Sequence, residues 1–249
     1  VQTCALPISI LNQTLLTTAL PTLMKEFDIS ASSVQWLTTG FLLVNGIMIP
    51  ISAWLINKFS SKKLYITAMS TFLIGTIICF VAQDFGMLLT GRLVQAAGVG
   101  VSMPLLQTIM LSIFPPEKRG AAMGTTGIVI GLAPALGPTL SGWIIDSYTW
   151  RDLFGMVIPI VVLVLILASF LMKNVIQLSN PSIDVLSVIL STLGFGSLLY
   201  GFSSVGDKGW GSPQVYGFLI VGAIVLCLFT YRQLHLEQPF LELRVFKSK

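Results

Sequence analysis
Apolar residues run unbroken for about 20 positions at a time, with short polar or charged breaks between the runs. The runs cover about Val34–Ile56, Leu64–Val81, Phe85–Phe114, Gly120–Ile145, Leu153–Met172, Val185–Phe202 and Val215–Tyr231, and an earlier one ends near Leu23. Each matches the roughly 20 residues that an α-helix needs to cross the hydrocarbon core of a bilayer. Strands of a membrane barrel would alternate polar and apolar side chains, and these runs do not. Backbone groups in lipid must then be paired within each segment, which a helix achieves. The pattern predicts an all-α integral membrane protein with about eight transmembrane helices.

Composition supports this and removes alternatives. Of 249 residues, 54% are hydrophobic and 10% charged, with a mean hydropathy of +0.88. A soluble domain carries about 25% charged residues. An ordinary water-soluble globule, a disordered chain and a nucleic-acid binder of the usual kind are excluded. The net charge of +4 follows from how the loops divide. One side receives Lys58, Lys62, Lys63, Lys118, Arg119, Lys173, Arg232, Arg244, Lys247 and Lys249, the other Lys25, Arg151 and Lys208. Basic loops stay on the cytoplasmic side. The hairpin Asn57–Lys63 and the C-terminal segment are therefore expected there, in a multi-pass protein of the plasma (cytoplasmic) membrane. His235 reads as a solvated loop residue, and Cys79 and Cys227 lie in apolar runs, so no metal site or disulfide framework is expected. The stretch Val1–Ile8 (VQTCALPI) reads as an adapter-derived artefact, the alternative being a genuine helix end.

Polar residues inside apolar runs are expensive, so they mark candidate chemistry. Among the Lys, Arg, Asp and Glu residues, only Arg92 falls well inside a span. Gln95 and Ser102 share about one helical face with it. Such a stripe suits a helix lining a water-filled cavity, while Arg92 snorkelling to the outer headgroups is the simpler alternative. The first span carries Asn12, Gln13, Thr14, Thr17 and Thr18. Thr hydroxyls often bond back to their own helix, leaving Asn12 and Gln13 as candidate cavity or interhelix groups. In the fifth span, Gly120, Gly124, Gly127, Gly131, Pro134, Pro138 and Gly142 recur at spacings of three and four. That face lacks bulky side chains and permits close backbone approach.

Four stretches in order resemble the major facilitator superfamily, in its 14-helix drug:proton antiporter branch. They are Leu11-Asn12-Gln13-Thr14 through Pro21, the hairpin Ala53 to Lys63 (AWLINKFSSKK), Gly91-Arg92-Leu93-Val94-Gln95 with Gly98 and Gly100, and Gly127 and Gly131 followed by Leu136-Gly137-Pro138 and Ser141-Gly142. Trp150-Arg151, before Phe154 and Pro159, also fits the branch. The first helix and the loop look like lincosamide-resistance-type multidrug efflux carriers. The resemblance implies residues 9–172 as an N-terminal six-helix bundle, 173–231 as two linker helices and 232–249 as a cytoplasmic segment leading into a second bundle that this chain lacks. It also implies that Arg92, Gln95, Ser102, Asn12 and Gln13 line the substrate or proton path. The packing motif would be Gly127, Gly131, Pro134, Gly137, Pro138 and Gly142, and the loop motif Asn57, Lys58, Lys62 and Lys63.

The chain departs from the branch at Asn12, where the family usually has Asp, and at Asn57 and Ser60, for the usual Asp and Gly. Asn12 cannot titrate, so a coupling carboxylate would lie elsewhere; Asn57 can still cap a helix N-terminus. The expected function is proton-coupled antiport of amphiphilic drugs by alternating access, conferring antibiotic resistance, with the proton gradient as energy source and no cofactor. A metabolite or siderophore exporter and a non-transporting membrane protein are the alternatives. A membrane-embedded enzyme would need a nucleophile–base pair or metal cluster that the sequence does not offer.

Overall fold
The computed structural model describes residues 2–176 and 184–236, with the side chains of 2–8, 129 and 207 left aside. The helices are α1 (Gln2–Phe27), α2 (Ala31–Lys58), α3 (Ser61–Phe80), α4 (Phe85–Ile113), α5 (Pro116–Ser147), α6 (Asp152–Gly155), α7 (Val157–Leu171), α8 (Val185–Lys208) and α9 (Pro213–His235). Among the described residues, seven spans are long and apolar enough to cross a membrane, α6 and α7 forming one of them. The start of α1 covers the stretch read as adapter-derived, and most of segment 232–249 lies outside the described residues.

Local chemistry sets the helix ends. Ser30 caps α2 by accepting from the Ser33 amide, and Ser60 caps α3 by accepting from Lys63. Asp84 caps α4 at 2.8 Å from the Met87 amide. Pro116 and Pro213 open α5 and α9, where a missing N–H costs nothing. Asp28 adopts a left-handed φ of 50° after α1, and the Ile29 amide returns to Met24 O at 3.1 Å. That closes α1 beyond the expected Leu23 boundary. The sixth span lacks one ladder hydrogen bond, because Pro159 has no N–H for the Gly155 carbonyl, while Met156 keeps a right-handed helical backbone that joins α6 to α7. His235 is the last residue of α9, its ring 4.3 Å from that of Tyr231. It is helical rather than a loop residue.

Two apolar clusters form the interior. One joins α2, α3, α4 and α7 through Phe41, Tyr65, Phe72, Leu105 and Val161. The other joins α1, α2, α4 and the α5–α7 corner through Leu16, Leu23, Leu37, Leu88 and Trp150. α5 packs chiefly on α1, and the α8–α9 hairpin lies against α2. Outer faces carry exposed Ile74, Leu163, Phe170 and Ile220, as expected where lipid is the solvent.

Candidate functional site
α3 and α4 approach at backbone distance. A Cβ on Gly75 would lie 2.5 Å from the Gln95 amide nitrogen, one on Gly91 2.9 Å from Gly75 O, and one on Gly98 2.5 Å from Ala68 O. This seam buries the face of α4 that carries Arg92 and Gln95, both completely enclosed. Arg92 Nη1 donates to Asn12 Oδ1 of α1 at 2.5 Å and to Gln95 Oε1 at 2.8 Å. Gln95 Nε2 donates to Thr76 Oγ1 of α3 at 2.8 Å. The Phe41 ring of α2 lies 4.4 Å from the guanidinium carbon, a cation–π contact. Four helices thus converge on one cation.

The Arg92 side chain turns into the bundle rather than along its surface, and it is sealed among helices rather than set in an open cavity wall. Its Nε and Nη2 have no hydrogen-bond partner, and no ion pair reaches it among the described residues. Asn12, Gln95 and Thr76 do not titrate. The cluster can hold a hydrogen-bond acceptor against a guanidinium that stays charged, but it cannot relay a proton through these side chains.

The other expected residues divide. Ser102 is buried on the same helix but turns to Gly98 O at 2.9 Å and Met69 Sδ at 3.8 Å, away from the cluster. Gln13 is half-buried and makes no side-chain hydrogen bond among the described residues. Thr76, Phe41 and Cys79, whose thiol lies 4.0 Å from Gln95 Oε1, belong to the site, and no motif in their apolar runs marks them.

Two polar ties fix the bundle ends. At one end, Glu26 pairs with Arg151 at 3.0 Å and accepts from Trp150 Nε1 at 2.6 Å. Arg151 Nη2 also donates to Ala82 O at 3.0 Å. At the other end, Asn174 Oδ1 accepts from the Ser61 amide at 3.0 Å and its hydroxyl at 2.9 Å. Asn57 does not cap α3. It donates back to Ala53 O at 3.0 Å, because Ser60, one residue before the helix, has the capping position. Lys58 lies over the Trp54 ring at 4.7 Å, while Lys62 and Lys63 stand on the first turn of α3.

The fifth-span motif falls on two faces. Ala133, Gly137, Ser141 and Ile144 are buried; Gly137 meets Thr14, and Ser141 bonds Thr18 of α1. Among the described residues, none comes within 4 Å of the space that a Cβ would take at Gly120, Gly124, Gly127, Gly131 or Gly142, and Pro134 and Pro138 are exposed. Most of the small-residue face is open to the described residues.

A buried polar cluster within a bundle of membrane-spanning helices defines a class of multi-pass membrane protein. The family model of the Major Facilitator Superfamily matches residues 4–241, and the chain belongs to that transporter family. It is 59% identical over 239 residues to the uncharacterized MFS-type transporter YcnB of Bacillus subtilis (strain 168), covering 96% of this chain and 51% of that protein. It is 47% identical over 242 residues to the lincomycin resistance protein LmrB of the same organism, covering 96% and 50%. Among solved structures, the human organic anion transporter MFSD10 (TETRAN) superposes with a TM-score of 0.62 at 15% identity, covering 94% of this chain and 71% of that one. The likeness to that structure is one of fold. The chain spans about half the length of the curated relatives it matches. Family and helices together make it a multi-pass membrane protein, consistent with the plasma membrane of bacteria.

Proposed function
We propose that the chain forms part of a proton-driven carrier that exports small amphiphilic drug-like molecules by alternating access. The observation that carries this reading is the Arg92 cluster: a permanent cation held by four helices with two donor groups unused. A structural arginine would have its donors filled, since buried donors without partners are costly. The relative named for lincomycin resistance supports a drug as cargo. Alternating access rocks one bundle against another, and the open glycine–proline face of α5 is where a second bundle of the same protein would close. Because the cluster lacks a carboxylate, the titrating group of the coupling reaction belongs elsewhere in the carrier.

The test uses the full-length protein bearing this chain in inverted vesicles, with an imposed proton gradient and a fluorescent cationic dye. Arg92→Ala should reduce gradient-dependent dye transport more than tenfold at unchanged membrane level, about the 1.4 kcal/mol that a factor of ten represents or more. Arg92→Lys should recover only part, since a lysine keeps charge but loses the planar fork. Undiminished transport by Arg92→Ala would overturn the reading.

A further inference from the structure
α2 and α3 are joined by the Asn57–Lys63 hairpin but scarcely touch beyond it; α4 packs against both. Between them runs a groove of about 320 Å³. Leu55 of α2 forms one wall, Lys63, Thr67 and Thr71 of α3 the other, and Ala97 and Gly98 of α4 the floor. The floor is low because small residues stand there. Ile74, one turn beyond Thr71, is 54% exposed, and Phe59 beside the hairpin is 41% exposed. Apolar side chains thus stand on the outer surface near the groove. Neither α2 nor α3 packs extensively on α5, and the groove shares no lining residue with the Arg92 cluster.

The groove is apolar along its length and cationic at its hairpin end. Lys63 lines it directly, and Lys58 and Lys62 flank it on the same hairpin. None of the three makes an ion pair among the described residues. Lys173 precedes Asn174, the residue bonded to Ser61 of the hairpin, and adds to the same end. We propose that this groove binds an anionic phospholipid, one acyl chain lying between α2 and α3 and the phosphate resting on Lys63. Basic residues beside helices on the cytoplasmic face attract acidic headgroups, and a slot of this shape supplies what a free anion would lack, an apolar bed. The proposal is independent of what the carrier exports.

Native mass spectrometry of the detergent-purified chain, offered equal phosphatidylglycerol and phosphatidylcholine, tests it. Phosphatidylglycerol should be retained at least about fivefold over phosphatidylcholine, the weight of one basic side chain at an anionic surface. Lys63→Gln should remove that preference with an unchanged circular dichroism spectrum. Ala97→Leu, which fills the floor, should lower retention of both lipids severalfold while leaving the preference. Equal retention of the two lipids by the unaltered chain, or a preference that survives Lys63→Gln, would sink the proposal. So would displacement of phosphatidylglycerol by inorganic phosphate alone, which would mark an anion site without a lipid bed. Its displacement by the transported dye would assign the groove to cargo and also overturn it.

Discussion

The α3–α4 seam and the open face of α5 are both built on glycine spacing, yet they end in opposite states. At the seam, Gly75, Gly91 and Gly98 leave room that the facing backbone fills, with would-be Cβ atoms 2.5–2.9 Å from main-chain atoms. On α5, Gly120, Gly124, Gly127 and Gly131 leave room that none of the described residues fills within 4 Å. The first region locks a cation into the bundle. The second presents a smooth helix face. Small residues at spacings of three and four therefore tell where two backbones can meet; whether they do depends on a neighbour that the spacing does not reveal.

The sharpest break of that contrast is a pair of substitutions. Gly98→Leu drives a side chain into Ala68 O and the Phe72 backbone, where no flexible group can yield. Overpacking of this kind costs about 3 kcal/mol or more, and we expect a large fall in the melting temperature of the detergent-solubilised chain. Gly131→Ala meets open space and should raise stability by about 0.5–1 kcal/mol through helix propensity alone. A loss of stability at position 131 comparable to that at 98 would show that the α5 face is covered within this chain.

A smaller effect separates neighbours on α1. Asn12 is buried and supplies one of the two hydrogen-bond acceptors of Arg92. Asn12→Ala removes an acceptor from a buried cation and should cost about 1–3 kcal/mol. Gln13, adjacent but half-buried, should tolerate Ala within about 0.5 kcal/mol. Thermal unfolding of the two variants side by side checks this. Equal losses would mean that α1 is held by its general polarity and not by the Arg92 contact.

The helices, their order and most boundaries were legible because hydropathy runs are long and lipid forces helices on them. Arg92, Asn12 and Gln95 were legible because polar side chains in apolar runs are rare. Their mutual contact was less so: the α4 stripe included Ser102, which bonds to its own helix, and omitted Thr76 and Phe41. Those last two contribute through position across helix interfaces, and a threonine or phenylalanine in an apolar run carries no mark of its partner. The split of the α5 motif was hidden for the same reason. Gly137 and Gly131 look alike in sequence, but they are six residues apart, about 240° around a helix at 100° per residue, so one meets α1 and the other does not. At the hairpin, Asn57 looked able to cap, and Ser60 won because it stands immediately before the first helical residue.

The smallest expected effect lies at the α8–α9 hairpin, which adds an ion pair to a glycine seam of its own: a Cβ on Gly222 would lie 2.8 Å from the Leu198 amide nitrogen, and one on Gly194 3.3 Å from that of Leu226. Asp184 accepts from Arg232 Nε and Nη2, each at 2.9 Å, and from the Ser187 hydroxyl at 2.5 Å. The Arg232 guanidinium, aided by Ser187 and opposed by partial burial, holds the Asp184 carboxyl below the usual carboxylate range. A depressed pKa contributes stability that is complete above the unfolded value, about 4, and is lost as pH falls through the lower folded value. Amide exchange at Ser187 and Val188, corrected for intrinsic rates, should therefore show constant protection from neutral pH to about pH 4, and a decline below it. In Asp184→Asn, protection should be slightly lower at neutral pH and flat through the acid range, because the amide has no charge to lose. Among the described residues the Gly75–Gln95 seam buries no carboxylate or histidine, so the α3 and α4 amides along it should show no matching decline in either protein. An acid decline of equal size in α3 and α4 would mean that the hairpin and the core open together, and that the Asp184–Arg232 pair does not act on its own hairpin alone.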